Sequence, residues 1–256
     1  MAILEATLSA KSPASKYPPV WPVVGAKGIV FGSSAGVDDD VRAIQQIGTK
    51  SRIARNATIF TQGDSPDHAY KVVNGVVRLC KHMSGGRRHI AQFLYPGDFF
   101  SVMESDSHSF TAEAVTDVVL TCYAQSRLAA LSEERPGVGR RFFRLLTKRL
   151  FEMENHLTVL GRQTAKERVI SFLLSLPDRD GLDEDNLVDV AMNRQDIADY
   201  LGLTNETVCR VVSELKRAGL IDVPNNHQFV LNDMDALQAL VDSEEDDNRE
   251  PDRKAA

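Results

Sequence analysis

Within "RQDIADYLGLTNETVCRVV", residues 194–212, an acid, a thiol and a guanidinium stand close together as Glu206, Cys209 and Arg210. On a helix, spacings of three and four put all three on one face. Arginine offers paired donors to guanine O6 and N7, and glutamate accepts from the cytosine amino group, so such a face can read base edges. The thiol adds a second chemistry. Beside a cation at a helix start its pKa can fall, and oxidation would then place negative charge on the same face. The plainer alternative is an intrahelical Glu–Arg pair on a surface helix, with Cys209 a passive small residue.

The surrounding pattern favours base reading. A helix-turn-helix requires a small residue where its two helices cross, a glycine for the positive φ of the turn, and a branched apolar residue plugging the core. Ala198, Gly202 and Val208 stand four and then six residues apart, with Ile197, Leu201 and Val211 completing the apolar set. Thr204 is placed to cap the second helix, whose N-terminal turn would face DNA. Arg194, Thr204, Asn205, Thr207, Lys216 and Arg217 are the expected backbone contacts. The stretch carries no strong basic excess, so phosphate contacts fall to individuals and to backbone amides. Beyond it, "GLIDVPNNHQFVLND" reads as two short strands around Asn225–Asn226, a wing whose Asn225, Asn226 and His227 can touch the DNA backbone.

Other chemistries find less support. Cys80, Cys122 and Cys209 are scattered and make no CxxC pair, which argues against a zinc site or a four-cysteine cluster. His68, His82, His89 and His108 could be imagined as metal ligands of a cupin-like enzyme. However, no His-x-His pair with a spaced glutamate occurs, and no triad or phosphate loop is present. The expectation is therefore neither an enzyme nor a metal protein, and no cofactor. The chain's formal charge is −6, and the acidic stretch 242–256 supplies much of it, so overall charge says little about a nucleic-acid partner. No apolar run reaches the roughly 20 residues that span a bilayer, and the N-terminus lacks a signal-peptide pattern; a cytoplasmic protein without membrane contact is expected.

Upstream elements must position the reading face. Between about 50 and 125, β-type runs ("YKVV", "GVVRLCKHM", "RRHIAQFLY", "AVTDVVLTCYA") alternate with turn signals ("TQGDSPD", "NG", "SGG", "YPGD"), predicting an antiparallel barrel or jelly roll. From about 138 the period becomes helical. Phe143, Leu146, Leu150, Met153, Leu157 and Leu160 form an unbroken a/d seam, narrower than an ordinary core stripe. That predicts a helix pairing with a second copy, with Gly161 a candidate hinge before "TAKERVISFLLSL" opens another helix. Residues 1–37, rich in Ala, Ser, Pro and Gly, read as a flexible extension, and 242–256 as a disordered acidic tail.

The order of barrel, heptad helix and winged helix-turn-helix resembles the cAMP receptor protein/FNR superfamily of bacterial transcription regulators, over roughly residues 40–241. "YKVVNGVVRLCKHMSGGRRHIAQFLYPGDFF" and "NRQDIADYLGLTNETVCRVVSELKRAGLI" are most similar to its FixK-type branch. The resemblance implies an α+β chain: a cyclic-nucleotide-binding-like antiparallel β jelly roll (38–137), a dimerisation helix (138–161) and a winged helix-turn-helix (162–241). It also implies a homodimeric regulator, usually an activator working with RNA polymerase, in microaerobic, denitrifying or nitrogen-fixing metabolism. The partner would be double-stranded DNA bearing a palindrome of TTGA-type half-sites, with Glu206 and Arg210 reading inner base pairs. FNR-like proteins carry serine where this chain has Cys209.

Two departures concern the input signal. Cyclic-nucleotide binders have a ribose-binding glutamate and a phosphate-clamping Arg-Ser; the corresponding places hold Val102 and His108–Ser109. Without that arginine a buried phosphate lacks its main counter-charge. FNR-type oxygen sensors use several N-terminal cysteines, and none precedes Cys80. A regulator without a small-molecule effector or iron–sulfur cluster is expected, the alternative being gating by a cyclic nucleotide or haem.

Overall fold

The computed structural model describes residues 35–102, 106–176 and 186–247. Helix α1 (Ala35–Gln46) leads into eight strands: β1 (Thr49–Ile53), β2 (Thr58–Phe60), β3 (His68–Asn74), β4 (Val77–His82), β5 (Arg88–Leu94), β6 (Phe99–Phe100), β7 (Thr111–Ala114) and β8 (Val118–Ala124). They form two antiparallel four-stranded sheets, β1-β8-β3-β6 and β2-β7-β4-β5. The jelly roll read from alternating runs and turns is present. Val72, Val77, Leu79, Leu94, Phe100 and Leu120 fill the space between the sheets. The "NG" turn demands its glycine. Gly75 has φ +84°, and a Cβ there would stand 2.3 Å from the carbonyl oxygen of Asp117. The run "AVTDVVLTCYA" is not one strand, because Val76 donates to the Thr116 hydroxyl and residues 115–117 turn there before β8 begins.

Helices α2 (Gln125–Glu134) and α3 (Pro136–Arg162) follow. Ile44 of α1, Leu128 of α2, Val138 and Phe142 of α3, and Tyr123 of β8 make a small shared core. α1 and α2 were not anticipated, and α1 begins inside the stretch read as an extension; residues 1–34 lie outside the described residues. α3 has proline in its first turn, where a missing N–H costs nothing. Its 27 residues make a rod of roughly 40 Å. It runs through Gly161 and ends at Arg162, so the break falls at extended Gln163 rather than at the glycine.

One face of α3 packs inward through Val138, Phe142, His156 and Val159. The other leaves Phe143, Leu146, Leu150, Met153 and Leu157 exposed, with Phe143 at 71% and Leu157 at 66%. Leu160 is half-buried. The heptad seam therefore does not pack on the chain's own roll.

Helix α4 (Ala165–Ser175) opens with a complete capping box, Thr164 with Glu167. Then come β9 (Leu187–Asp189), α5 (Arg194–Leu201), α6 (Asn205–Arg217), β10 (Ile221–Asn225), β11 (Gln228–Leu231) and α7 (Met234–Asp247). β10, β11 and β9 form the third sheet, and β10–β11 is the expected wing. α7 continues to Asp247, so the stretch read as a disordered tail from 242 starts as helix; residues 248–256 lie outside the described residues. The core of this unit is continuous with the outer face of the roll. Val76, Cys80, Ile90, Phe93 and Tyr95 join the same apolar cluster as Ile197, Leu201, Val208 and Phe229.

Candidate nucleic-acid interface

The helix-turn-helix forms around the residues that predicted it. Ala198, Leu201 and Val208 are wholly buried, and Ile197 and Val211 nearly so. Gly202 ends α5 in the left-handed region at φ +65°, a conformation that would strain a side chain there. Asn193 caps α5, accepting from the Asp196 amide, and Thr204 caps α6, accepting from the Thr207 amide at 3.1 Å. The Thr204 and Thr207 hydroxyls bond each other at 2.8 Å, so two expected DNA contacts first serve to start the helix.

α6 divides cleanly. Val208, Val211, Val212 and Leu215 face the core, while Asn205, Glu206, Cys209, Arg210, Ser213, Lys216 and Arg217 face outward. Glu206 and Arg210 make no ion pair among the described residues. Cys209 Sγ lies 3.6 Å from the Asn205 side-chain oxygen, and the thiol is exposed. Lys216 and Arg217 occupy the last turn, where positive charge complements the helix dipole. At the wing tip Asn225, Asn226 and His227 are exposed; the His227 ring anchors on the Val190 carbonyl at 2.9 Å.

Arg194, at the start of α5, has a tertiary role that its position in the sequence does not announce. Its guanidinium lies 4.3 Å from the centroid of Phe229, and Nη1 is buried. Burial lowers its pKa from the usual value. The cation binds the start of α5 to the wing strand by stacking, the geometry favoured when a guanidinium is partly desolvated.

An ionic joint between roll and α5 was missed from sequence. Arg78 of β4 places Nη1 at 3.1 Å from both carboxylate oxygens of Asp196, which is 1% exposed. Its Nε donates to Glu113 of β7 at 2.8 Å. Arg88 of β5 pairs with Asp196 and donates to Asp199 at 2.7 Å. Burial works against the Arg88 charge, but Asp199 and Asp196 outweigh it and hold its pKa above the usual value. Beside the joint, Tyr200 stacks on His156 of α3 at 4.4 Å and meets Phe93 of β5. Arg168 of α4 donates to the carbonyls of Leu160, Gln163 and Leu201, tying the end of α3 to the end of α5. In sequence, an aspartate in the first turn of a helix already has a capping explanation, which hides a second, tertiary role.

In the roll, His108 occupies the place compared above with a phosphate-clamping arginine. It is buried, stacks on Phe60 at 3.5 Å between centroids, and contacts Ser101 Oγ at 3.2 Å. Tyr70 and Phe100 stack beside them. The cavity nearby, lined by Phe60, Val102, Phe110, Phe142 and Arg149 among others, has about 200 Å³. The four histidines considered as ligands do not assemble among the described residues; His82 instead lies with Cys80 and Glu113.

Residues 167–240 match the model of the Crp-like helix-turn-helix domain, and residues 50–135 that of the cyclic nucleotide-binding domain. The nitrogen fixation regulation protein FixK of Azorhizobium caulinodans is 39% identical over 218 residues, covering 84% of this chain and 87% of that protein. The chain belongs to the Crp/Fnr family of transcription regulators. The transcriptional activatory protein AadR of Rhodopseudomonas palustris is 32% identical over 206 residues, covering 78% of this chain and 85% of that one. The solved structure of FixK2 from Bradyrhizobium japonicum superposes with a TM-score of 0.72 at 34% identity, over 76% of this chain and 97% of that one. Crp/Fnr membership brings DNA binding and transcription regulation with it. No helix among the described residues is long and apolar enough to cross a membrane.

Proposed function

We propose that the chain works as a FixK-like homodimer that binds a palindrome of TTGA-type half-sites without a small-molecule effector or iron–sulfur cluster. The observation that carries this reading is the exposed trio Glu206, Cys209 and Arg210 on α6, opposite a buried Val208, Val211 and Leu215. Arg210 reads guanine and Glu206 accepts from cytosine. Asn205, Lys216 and Arg217, with the Thr204–Thr207 turn, hold the phosphates. Two copies pair along Phe143, Leu146, Leu150, Met153, Leu157 and Leu160, which sets two reading helices about one DNA turn apart.

Effector independence draws support from the roll's interior. At the place compared with the phosphate-clamping arginine, His108 is packed flat on Phe60, and Arg149, which lines the nearby cavity, donates to the Phe99 carbonyl. A free volume of about 200 Å³ falls below the roughly 300 Å³ at which ligand pockets begin. By kinship with FixK and AadR, the dimer activates transcription with RNA polymerase in microaerobic or nitrogen-fixing metabolism. Selection from a random duplex library tests the reading: enrichment of paired TTGA-type half-sites is expected, and enrichment of unrelated or single sites would overturn it.

A further inference from the structure

Cys80 and His82 stand two apart on β4 and so on the same side of the strand, the side that carries Arg78. Glu113, from neighbouring β7, lies beside them. Cys80 Sγ is 3.9 Å from His82 Nε2, and His82 Nε2 is 3.8 Å from Glu113 Oε1. All three ligand atoms lie within 4.8 Å of one another. In a tetrahedral centre with metal–sulfur bonds of about 2.3 Å and metal–nitrogen or –oxygen bonds of about 2.0 Å, ligand atoms stand roughly 3.3–3.6 Å apart. Two edges need only a few tenths of an ångström, and the third, at most 4.8 Å, takes roughly 1 Å of side-chain movement to close the triangle on an ion.

We propose that Cys80, His82 and Glu113 form a site for a divalent cation of the zinc class, with a fourth position open to water. The donor set fits that class: one thiolate, one imidazole and one carboxylate suit zinc or cobalt, whereas magnesium and calcium require oxygen shells. Access comes from the His82 side, where that side chain is 59% exposed, above a wholly buried Cys80. On loading, the Cys80 S–H, now directed at the Thr111 carbonyl, passes its proton to water and the sulfur bonds the ion. No oxidation state changes.

The site adjoins the joint to α5. Glu113 keeps Oε2 on Arg78 and turns Oε1 towards His82. One divalent ion in and one proton out raise the local charge by one beside Arg78, which also holds Asp196. Loading therefore pulls on Glu113, repels the Arg78 guanidinium and alters the seating of α5 on the roll. This coupling to DNA rests on the DNA-binding reading above; the site itself does not.

The test titrates cobalt(II) into the reduced, metal-free full-length protein and follows its absorption. One saturable site per chain is expected, with the intense visible bands of tetrahedral cobalt and a thiolate charge-transfer band. Cys80→Ser should abolish the charge-transfer band, Cys209→Ser should leave it unchanged, and His82→Ala should weaken binding at least about tenfold. His82 is exposed, so its variant keeps the fold and decides the matter even if Cys80→Ser folds poorly. Absence of the bands, or their survival in both Cys80→Ser and His82→Ala, would overturn the site. Cobalt should also change affinity for a labelled palindromic duplex several-fold in the parent and not in His82→Ala. An unchanged affinity in the loaded parent would overturn the coupling.

Discussion

Arg78 and Asp196, 118 positions apart in the chain, meet with one guanidinium nitrogen 3.1 Å from each carboxylate oxygen. Arg88 brings a second cation to the same buried acid. Helix α5, the first of the helix-turn-helix, is thereby fixed to the outer face of the roll by two arginines from adjacent strands. Tyr200 packs beside the joint and the Asp196 side chain is 2% exposed, so the charges on Asp196 act at short range in a medium less polar than water.

Asp196→Asn keeps the shape of the side chain and removes the charge that both arginines share. Breaking a buried pair from one side leaves uncompensated charge, at a cost of about 3–5 kcal/mol. Urea denaturation should show a loss of that size. A loss below about 1 kcal/mol would mean that the arginines find other partners or that water reaches the joint.

Arg210→Ala should cost about 1–3 kcal/mol of affinity for a TTGA-type palindrome and relax selectivity at the base pair it reads. Lys216→Ala should weaken all sequences alike and lower the salt dependence. Competition binding against singly mismatched duplexes separates the two patterns. Equal losses on every duplex would remove Arg210 from the reading face.

Leu150→Lys and Leu157→Lys place charge on exposed α3 positions that touch no core of their own chain. Both variants should keep the parent's circular dichroism yet sediment as monomers. Their affinity for a palindrome should fall by about 100-fold or more, since two linked half-sites become two separate binding events. A variant that stays dimeric would place the interface elsewhere.

His156 is held below its ordinary pKa of 6.5, at about 4, chiefly by burial and secondarily by the charge of His89. The Tyr200 backbone opposes the shift and Arg168 adds to it. The unfolded chain therefore takes up a proton before the folded one does. Stability contributed by the neutral ring is complete above pH 6.5 and is lost as pH falls towards 4, by about 3 kcal/mol in all. His156→Phe preserves the stack on Tyr200 and should flatten this part of the pH–stability curve relative to the parent. Parallel curves for the two proteins would contradict the assignment.

Cys209 is exposed between Glu206 and Arg210, and a sulfinate there would set negative charge against phosphate in the proposed complex. Peroxide treatment should reduce DNA affinity of the parent and leave Cys209→Ser unaffected. Equal loss in both would assign the effect to another group.

Much of this arrangement was legible in the residues. Ala198, Gly202 and Val208 state the helix-turn-helix because crossing geometry, a positive φ and a plugged core each restrict residue type at a fixed spacing. The α3 seam was legible for a similar reason: a strict two-position repeat is too narrow for an ordinary core face. The joint was not, because Arg78 and Arg88 on strands look like any outward charge until the fold brings Asp196 to them. Helix α1 escaped because "AGVDDDVRAIQQ" offers few apolar positions, its buried contribution including Ala43 and Ile44. The Arg194 stack was not legible because nothing local announces that Phe229, on a distant strand, will lie beneath it.

The most direct measurement of the central claim is fluorescence anisotropy on a duplex carrying two TTGA-type half-sites, about one helical turn apart, with protein freed of small molecules and kept reduced. Saturable binding with no added ligand, lost when either half-site is scrambled, is the predicted result. Binding that appears only when a cyclic nucleotide or haem is supplied would contradict the effector-free account and return the roll to the role of a ligand sensor.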